Sequence, residues 1–373
     1  MVKNKNDNPF KKLNGFKIVL PAILGLGVVI YMIGRKFDVR VFDAVSFTAH
    51  SVLFIAVAAM FMMMRDIGYM IRIRLLTNKD LTWKKAFRVI MLWEFTSAVT
   101  PSAVGGTSLA ILYVNKEGIS LGRSSSVVLA TSFLDELYFV IMFPILLLTI
   151  NMQSLFAVGE IAHGVSFKNE FFLFAVIGYS AKLIYTIFVS YGLFVNPRGL
   201  KWLLLWIFKL PFLRRWRYEA HVAGSEIISS SKELKQKKIG FWLKAFGATF
   251  FSWTSRYWVV NAIMLAFFVV PDHLLIFARQ LVMWIMMLVM PTPGGSGFSE
   301  YFFTEYMRDF IQVDPTLVVG VAAVLALLWR LLSYYPYLII GSIILPKWIN
   351  EKFTKKEIAS DTQQTDAVSA AGS

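Results

Sequence analysis

The 373-residue chain is 57% hydrophobic and only 16% charged, whereas a soluble domain is about 45–50% apolar and about 25% charged. This composition excludes an ordinary soluble domain and predicts an all-α polytopic membrane protein. The net charge of +15 would suggest nucleic acid as a partner of a soluble protein, but here it predicts loops that face an anionic cytoplasmic leaflet. Because the chain has no cysteine, disulfides and thiol catalysis are excluded.

The first part of the chain contains three predicted membrane crossings. The crossing at 16–34 follows basic residues and lacks a small-residue cleavage site, so we interpret it as a retained helix rather than a signal peptide. The others span 47–64 and 126–150. Between these two, residues 86–113 are apolar but are interrupted by Thr-Pro-Ser-Ala-Val-Gly-Gly at 100–106. Proline and glycine break regular helix, so this pattern predicts a re-entrant hairpin.

The middle of the chain holds two further predicted crossings, at 171–195 and 246–270. Residues 196–245 between them are the most basic stretch of the sequence. Tryptophan and arginine occur there among apolar residues, which predicts amphipathic interfacial helices at 202–208 and 216–231.

A second interrupted apolar segment follows at 274–306, around Pro-Thr-Pro-Gly-Gly-Ser-Gly at 291–297. The last predicted crossing spans 316–345, and Pro336 is expected to kink it. Residues 351–373 are rich in Ser, Thr, Ala and Gln and are predicted to form a disordered cytoplasmic tail. Residues 1–350 are predicted to form a single integral membrane domain.

The positions of the basic residues predict the orientation. With a cytoplasmic N-terminus, most of the 38 Lys and Arg residues fall in segments on the inner side, as the positive-inside rule requires. Both termini are then cytoplasmic, and residues 151–170 are external. We expect the protein to lie in the inner membrane of a prokaryote. The two hairpins enter from opposite sides. We therefore predict six to eight membrane helices plus two hairpins, arranged as inverted repeats at 47–150 and 246–345.

Charged residues inside the predicted spans are few, and each is costly unless it is paired or hydrated. They are Glu94, Asp135, Glu136, Lys182, Arg256, Glu300 and Arg330. In one interpretation they form ion pairs that only stabilise the bundle. In the other they line a polar cavity between the hairpins, where helix N-termini and the fork of arginine suit a phosphate. The two matched proline-glycine breaks favour the second interpretation.

Other functional motifs are absent from the sequence. The four histidines, His50, His163, His221 and His273, are scattered without the spacing of metal ligands, so neither a metal site nor another cofactor is expected. The glycine runs lack the strand context of a nucleotide-binding fold.

Three stretches resemble a known family: PTPGGSGFSE at 291–300, WRLLSYYPYLIIG at 329–341, and TPSAVGG at 100–106 with the Lys-x-Gly of 116–118. With them, most of the chain is similar to the flippase-like membrane domain of lysylphosphatidylglycerol synthases. The resemblance implies movement of a lipid with a polar, often phosphate-bearing headgroup between leaflets. It carries over to Pro291, Pro293, Gly294, Gly295, Gly297, Glu300, Arg330 and Tyr334, and to Pro101, Gly105 and Gly106.

The synthases also carry a soluble aminoacyl-transferase domain, to which no part of this chain corresponds, so lysyltransferase activity is not expected. We predict a lipid flippase that binds anionic headgroups, with Arg330 as the main anchor and Arg256 assisting. One alternative is an intramembrane enzyme that uses Glu300 or Asp135 as a base. Another is an accessory membrane subunit that docks on a lipid-modifying enzyme through 196–245.

Overall fold

The structure is a computed structural model and describes residues 40–100, 103–156, 170–210, 217–288, 292 and 295–354. These residues form helices and connecting turns with no β-strand among them, so the predicted all-α fold is confirmed. The predicted crossing at 16–34 lies outside the described residues. So does the predicted tail beyond residue 354, but residues 351–354, which we predicted to be disordered, are helical.

The helices in chain order are α1 (Arg40–Ala44), α2 (Ala49–Leu76), α3 (Trp83–Val99), α4 (Ala103–Lys116), α5 (Leu121–Thr149), α6 (Met152–Phe156), α7 (Glu170–Ser190), α8 (Pro197–Ile207), α9 (Arg217–Lys235), α10 (Ile239–Phe267), α11 (His273–Met287), α12 (Phe298–Met307), α13 (Val318–Ser333) and α14 (Tyr335–Ile349). Short π-helical turns extend α7 over Tyr191–Val195 and α14 over Asn350–Thr354, and a 3-10 turn extends α12 over Arg308–Phe310.

Helix α2 is longer than the predicted crossing at 47–64. It begins at a capping box in which the Thr48 side chain accepts a hydrogen bond from the backbone N–H of Ser51. It ends where Asn78 and Lys79 adopt left-handed backbone angles. The predicted end of this crossing at residue 64 is therefore wrong. The charges at 65–66 had suggested the end of a span, but other helices bury them.

The first interrupted segment is a pair of short helices, α3 and α4, which pack against each other. Thr82 caps the start of α3, and the helix ends at Thr100, which adopts extended backbone angles. A residue that precedes proline disfavours the α conformation, so Pro101 in the sequence accounts for this end.

The second interrupted segment is likewise a pair of short helices, α11 and α12. The side chain of Asp272 caps α11, and α12 starts directly after Gly297. Gly295 and Gly297 have backbone φ angles of +67° and +90°, which side-chain-bearing residues rarely adopt. The order long, short, short, long therefore occurs twice in the chain, although a break at Tyr334 divides the last long segment into α13 and α14. Pro336 lies in the first turn of α14.

Four helical segments within the described residues are long and apolar enough to cross a membrane: Ala49–Leu76, Leu121–Thr149, Phe171–Val195 and Val318–Phe353. Helix α10 is as long, at 29 residues, but it carries Lys244, Arg256 and several small polar residues and is not among the four. A multi-pass membrane protein is thus supported, and the number of six to eight membrane helices stays a prediction.

Helices α2 and α10 form the most extensive pair in the described bundle, and they run antiparallel. A Cβ atom at Gly68 would lie 2.5 Å from Ser252 Oγ and 2.9 Å from the Ala248 carbonyl oxygen, so glycine permits this close approach. We call the end of the bundle at the C-terminus of α2 the first end, and the opposite one the second end. By connectivity, the pair α3–α4 opens at the first end and the pair α11–α12 at the second.

Helices α8 and α9 lie at the first end, close to the predicted 202–208 and 216–231. Polar contacts fix α9 to the bundle: Glu226 accepts a hydrogen bond from the Gly122 backbone N–H at 2.7 Å, and Glu233 accepts one from the Asn78 amide at 2.6 Å. The Asn78 hydrogen bond is the main reason why the pKa of Glu233 lies below its usual value. Trp202 and Trp206 on α8 remain exposed, as in an interfacial helix.

Candidate functional site

Most of the charged residues in the helices around α2 gather in one group, which we call the central cluster. It comprises Arg65, Asp66, Arg72, Glu94, Asp135, Glu136, Lys182 and Arg256. Helices α2, α3, α5, α7 and α10 contribute these residues. Sequence analysis had selected five of them, and the structure brings all five into this cluster.

Arg65 lies at the middle of the central cluster and is only 1% exposed. One terminal nitrogen of its guanidinium lies 2.9 Å from Asp66 Oδ1, and the other lies 2.6 Å from Glu94 Oε2. The guanidinium also lies over the rings of Tyr69 and Tyr337, with its carbon 4.7 and 5.1 Å from the ring centres. Two carboxylates from different helices thus share one buried cation.

Arg72 forms the second ion pair, with Asp135 on α5. Arg72 Nη2 lies 3.1 Å from Asp135 Oδ2, and Nη1 bonds the other carboxylate oxygen and Thr249 Oγ1. The indole N–H of Trp253 donates to Asp135 Oδ1 at 2.6 Å. Two-point pairing of this kind fixes orientation as well as charge, and it connects α2, α5 and α10.

Lys182 and Glu136 form the third ion pair, with 2.8 Å between Nζ and Oε2. Lys182 is 5% exposed and its ammonium lies over the ring of Phe139. The structure thus places Lys182 inside the bundle.

Arg256 has a different environment. Its guanidinium carbon lies 4.1 Å from the ring centre of Trp284 and 5.6 Å from that of Trp253. Within the part of the chain that the structure describes, no carboxylate lies within 4.0 Å of it. Its side chain is partly exposed, whereas those of Arg65, Arg72 and Lys182 are buried.

Glu300 and Arg330 form a separate group, which we call the hairpin cluster together with Tyr334. Arg330 Nε lies 2.6 Å from Glu300 Oε1, and the side chains are 6% and 1% exposed. Glu300 Oε2 also accepts from the Gly297 backbone N–H and from Ser299 Oγ, at 2.6 and 2.9 Å. Glu300 therefore holds the start of α12 and neutralises Arg330.

The break between α13 and α14 connects the two clusters. Tyr334 lies under the Arg330 guanidinium, 4.2 Å from ring centre to guanidinium carbon, and its hydroxyl donates to the Ala98 carbonyl oxygen on α3 at 3.0 Å. Tyr337, three residues later, lies 3.0 Å from both carboxylate oxygens of Asp66. The break thus bridges the two helix pairs.

Four of the eight proline and glycine residues that the family resemblance selects lie in the described part of the chain. Gly105 and Gly106 lie within α4, where Gly106 is buried and packs so closely on Ser97 of α3 that a Cβ would collide with its hydroxyl. Gly295 and Gly297 are the positive-φ residues before α12. Pro101, Pro291, Pro293 and Gly294 lie outside the described residues.

Two further clusters join the helix pairs to the bundle, one at each end. At the first end, Glu117 is 0% exposed and pairs with Arg88 at 3.0 Å and with Lys352 at 3.1 Å. The indole N–H of Trp348 also donates to it, at 3.0 Å. We call these four residues the Glu117 cluster.

At the second end, Arg279 donates to the carbonyl oxygens of Ser154 and Tyr306 and pairs with Asp309 at 2.8 Å. Each helix pair is thus tied to its surroundings at the end where it opens.

A cavity of about 500 Å³ lies at the second end, away from the central cluster. It is formed by the loop before α2 and the C-terminal end of α10, and His50 is its one titratable lining residue. This cavity is therefore not the polar cavity that the sequence predicts between the hairpins. The cavity between the hairpins stays a prediction. No group of three His, Asp or Glu residues that could hold a metal ion occurs within the described residues.

Comparison with known proteins identifies the family. Residues 18–341 match the family described as the lysylphosphatidylglycerol synthase TM region. The chain belongs to this family. A relative from Archaeoglobus fulgidus, named a UPF0104 membrane protein, is 25% identical over 301 residues, which cover 77% of this chain and 84% of the relative. No solved structure matches the chain.

Sequence analysis missed several residues of these clusters in this family member. Arg65, Asp66 and Arg72 lie beyond the crossing predicted at 47–64, and Glu117 and Arg279 had not been singled out. One signal was available: Arg65, Tyr69 and Arg72 recur at spacings of four and three residues, which places them on one face of a helix. Trp253 and Arg256 show the same spacing of three.

Proposed function

We propose that this protein moves a membrane lipid with a phosphate-bearing headgroup between the two leaflets. The observation that carries the proposal is the environment of Arg256, a guanidinium inside the bundle that stacks on Trp284 and has no carboxylate partner among the described residues. A charge in a membrane interior is costly unless something compensates it. An anionic headgroup is the direct partner for Arg256 that the family suggests.

The chemistry of Arg256 suits a phosphate. A planar guanidinium presents several N–H donors that match two phosphate oxygens at once. Stacking on an indole ring stabilises the cation, by about 0.5–2 kcal/mol, and leaves the N–H groups at the guanidinium edge free to donate. The partial exposure of Arg256 gives a headgroup access to them.

The geometry favours Arg256 over Arg330 as the main anchor. The sequence had selected Arg330, but its guanidinium is buried and pairs with Glu300 at 2.6 Å. A headgroup would have to displace this pair, whereas Arg256 offers a charge without such a partner. In this proposal Arg330 and Glu300 hold the second helix pair in position, and Tyr334 connects it to the first.

The two helix pairs supply the moving parts. We interpret α3–α4 and α11–α12 as re-entrant hairpins of two inverted repeats, since they open at opposite ends of the bundle and follow the same order of helix lengths. Transporters of this design place the substrate between the repeats, beside broken helices. The central cluster is in contact with both pairs, because Glu94 belongs to α3 and Arg256 packs on Trp284 of α11.

The test is leaflet exchange in vesicles that contain the purified protein and phosphatidylglycerol with a fluorescent headgroup label. A membrane-impermeant reductant bleaches only the outer leaflet, so further bleaching reports exchange. We expect exchange with the wild-type protein and a loss of about tenfold with Arg256→Lys, which corresponds to about 1.4 kcal/mol. Arg256→Ala should lose more.

Arg74 provides a matched control, because it also stacks on a tryptophan, Trp83, at 4.1 Å, but lies at the first end of the bundle. Arg74→Lys should exchange lipid at the wild-type rate. If folded wild-type protein exchanges no phosphate-bearing lipid, the proposal is wrong. If Arg256→Ala exchanges as fast as the wild type, the site assignment is wrong.

A further inference from the structure

The charges of the central cluster balance, but they are not evenly paired. Four cations face four carboxylates: Arg65, Arg72, Lys182 and Arg256 face Asp66, Glu94, Asp135 and Glu136. Asp135 and Glu136 each have their own cation, Arg72 and Lys182. Asp66 and Glu94 share Arg65. Arg65 balances only one of these two carboxylates. Among the described residues of the cluster, Arg256 is the cation that balances the other, and it does so from a distance, without an ion pair.

This distribution has a consequence when an anion binds to Arg256. The charge of Arg256 then balances the anion instead of the second carboxylate beside Arg65. The cluster is left with one excess negative charge. Excess charge is unfavourable in a poorly hydrated interior. One proton from water, transferred to a carboxylate of the cluster, restores neutrality.

We propose that Glu94 takes up this proton, so that an anionic headgroup and a proton bind together and move in the same direction. The inference rests on the proposed function and adds a coupling ion to it. In the unloaded protein Glu94 is ionised and paired with Arg65. In the loaded protein Glu94 is neutral, Arg65 is paired with Asp66, and Arg256 is paired with the headgroup.

Glu94 suits this role better than Asp66 does. Among the described residues, Glu94 forms an ion pair with Arg65 alone, through one oxygen, and its side chain is 24% exposed, against 19% for Asp66. Asp66 has a second partner in the Tyr337 hydroxyl, which lies 3.0 Å from each of its oxygens. Glu94 also lies on α3, one helix of the first re-entrant pair, so a change in its charge acts on an element that is proposed to move.

Other charged and titratable groups lie close to the pair Asp66–Glu94. They are Arg65 and Tyr69 on α2, Arg256 on α10 and Tyr337 on α14. Arg72 and Asp135 lie close to Tyr69, but they pair with each other. Arg65 and Arg256 therefore remain as the cations that respond to a headgroup.

The test counts protons when lipid binds. Dioctanoyl phosphatidylglycerol is titrated into the detergent-solubilised protein by calorimetry in two buffers with different ionisation enthalpies. Its phosphodiester keeps one charge, whereas a phosphomonoester titrates near pH 6 and would confuse the count. We expect the wild type to take up about one proton per lipid, and the apparent Kd to rise by about tenfold per pH unit across the linked range.

Glu94→Gln keeps the shape of the side chain and removes the proton site. It should bind the lipid without proton uptake and with a Kd independent of pH. Glu305→Gln is the control. Glu305 on α12 forms an ion pair with Arg308, three residues later in the chain, and this pair lies outside the site. It should behave as the wild type does in both measurements.

The outcomes separate the two proposals. If the wild type binds lipid without proton uptake, the coupling is wrong and the proposed function stands. If Glu94→Gln still takes up the proton, the assignment to Glu94 is wrong. If the wild type neither binds nor exchanges the lipid, the proposed function itself fails. The proton count on the wild type decides the coupling even if Glu94→Gln does not fold.

Discussion

Arg330 Nε lies 2.6 Å from Glu300 Oε1, and both side chains are more than nine-tenths buried. Removing one partner of a buried ion pair leaves an uncompensated charge, which typically costs about 3–5 kcal/mol, whereas replacing both with apolar residues is often neutral. The arrangement predicts that Arg330→Leu alone is strongly destabilised. We expect the double variant Arg330→Leu, Glu300→Leu to be more stable in detergent than Arg330→Leu alone, although the Gly297 N–H loses the carboxylate that accepts its hydrogen bond.

The same double variant separates the two roles of Arg330. A positioning role predicts that lipid exchange returns together with stability. A double variant that is stable but exchanges no lipid would show that Arg330 contacts the headgroup, as the sequence had suggested. The pair Glu305–Arg308 at 3.2 Å is the comparison. It is more exposed, so removing both of its members should change stability by about 1 kcal/mol or less.

The orientation can be tested because the chain has no native cysteine. Gln153 and Gln236 are both exposed, and they lie at the second and first ends of the bundle. In the predicted topology, an impermeant thiol reagent added to intact cells labels Gln153→Cys, and it labels Gln236→Cys only after lysis. Labelling of both variants in intact cells would contradict the predicted arrangement.

Gly297 precedes α12 with a φ angle of +90°. A side chain at this angle is strained by about 1–3 kcal/mol, and Glu300 can bond the backbone N–H only if the turn keeps its shape. Gly297→Ala should therefore lower the thermal unfolding temperature and reduce lipid exchange.

Gly247 is the control for this variant, because it lies within α10 and a Cβ there has open space around it. Gly247→Ala should be neutral or slightly stabilising. Equal behaviour of the two variants would mean that the turn before α12 tolerates a side chain.

Much of the fold could be predicted from the sequence because long apolar runs and Pro-Gly interruptions are local signals. Both helix pairs and both amphipathic helices occur close to their predicted places. The end of α2 could not be predicted, because Arg65 and Asp66 are the residues with which a span often ends. Glu94 from α3 and Tyr337 from α14 provide partners for these two charges inside the bundle.

The candidate site was predictable in composition but not in pairing. Charges within apolar runs identified Asp135, Glu136 and Arg256. Their partners Arg72, Lys182 and Trp284 come from helices that are distant in sequence, and pattern analysis gives no information on such contacts. The pairing changes the interpretation, since it gives Arg330 a carboxylate partner and leaves Arg256 without one.

The last prediction concerns Glu117, the acidic residue of the Lys-x-Gly stretch at 116–118. Its carboxylate is completely buried, and it pairs with Arg88 and Lys352 and accepts from Trp348. Through these contacts the first helix pair is joined to the end of α14. Glu117→Gln removes the charge and leaves two cations partly uncompensated, so we expect a loss of about 1–3 kcal/mol of stability, the cost of an unsatisfied buried group.

Glu351 provides the matched comparison, because it also pairs with Arg88 and Lys352 but is 46% exposed. Glu351→Gln should change the thermal unfolding temperature little. Proteolysis separates a local from a global effect. If the Glu117 cluster holds the end of α14, Glu117→Gln should accelerate cleavage near Lys347 and Lys352 before the protein unfolds, and Glu351→Gln should not. Equal cleavage rates in the two variants would mean that the buried carboxylate does not fix the end of α14.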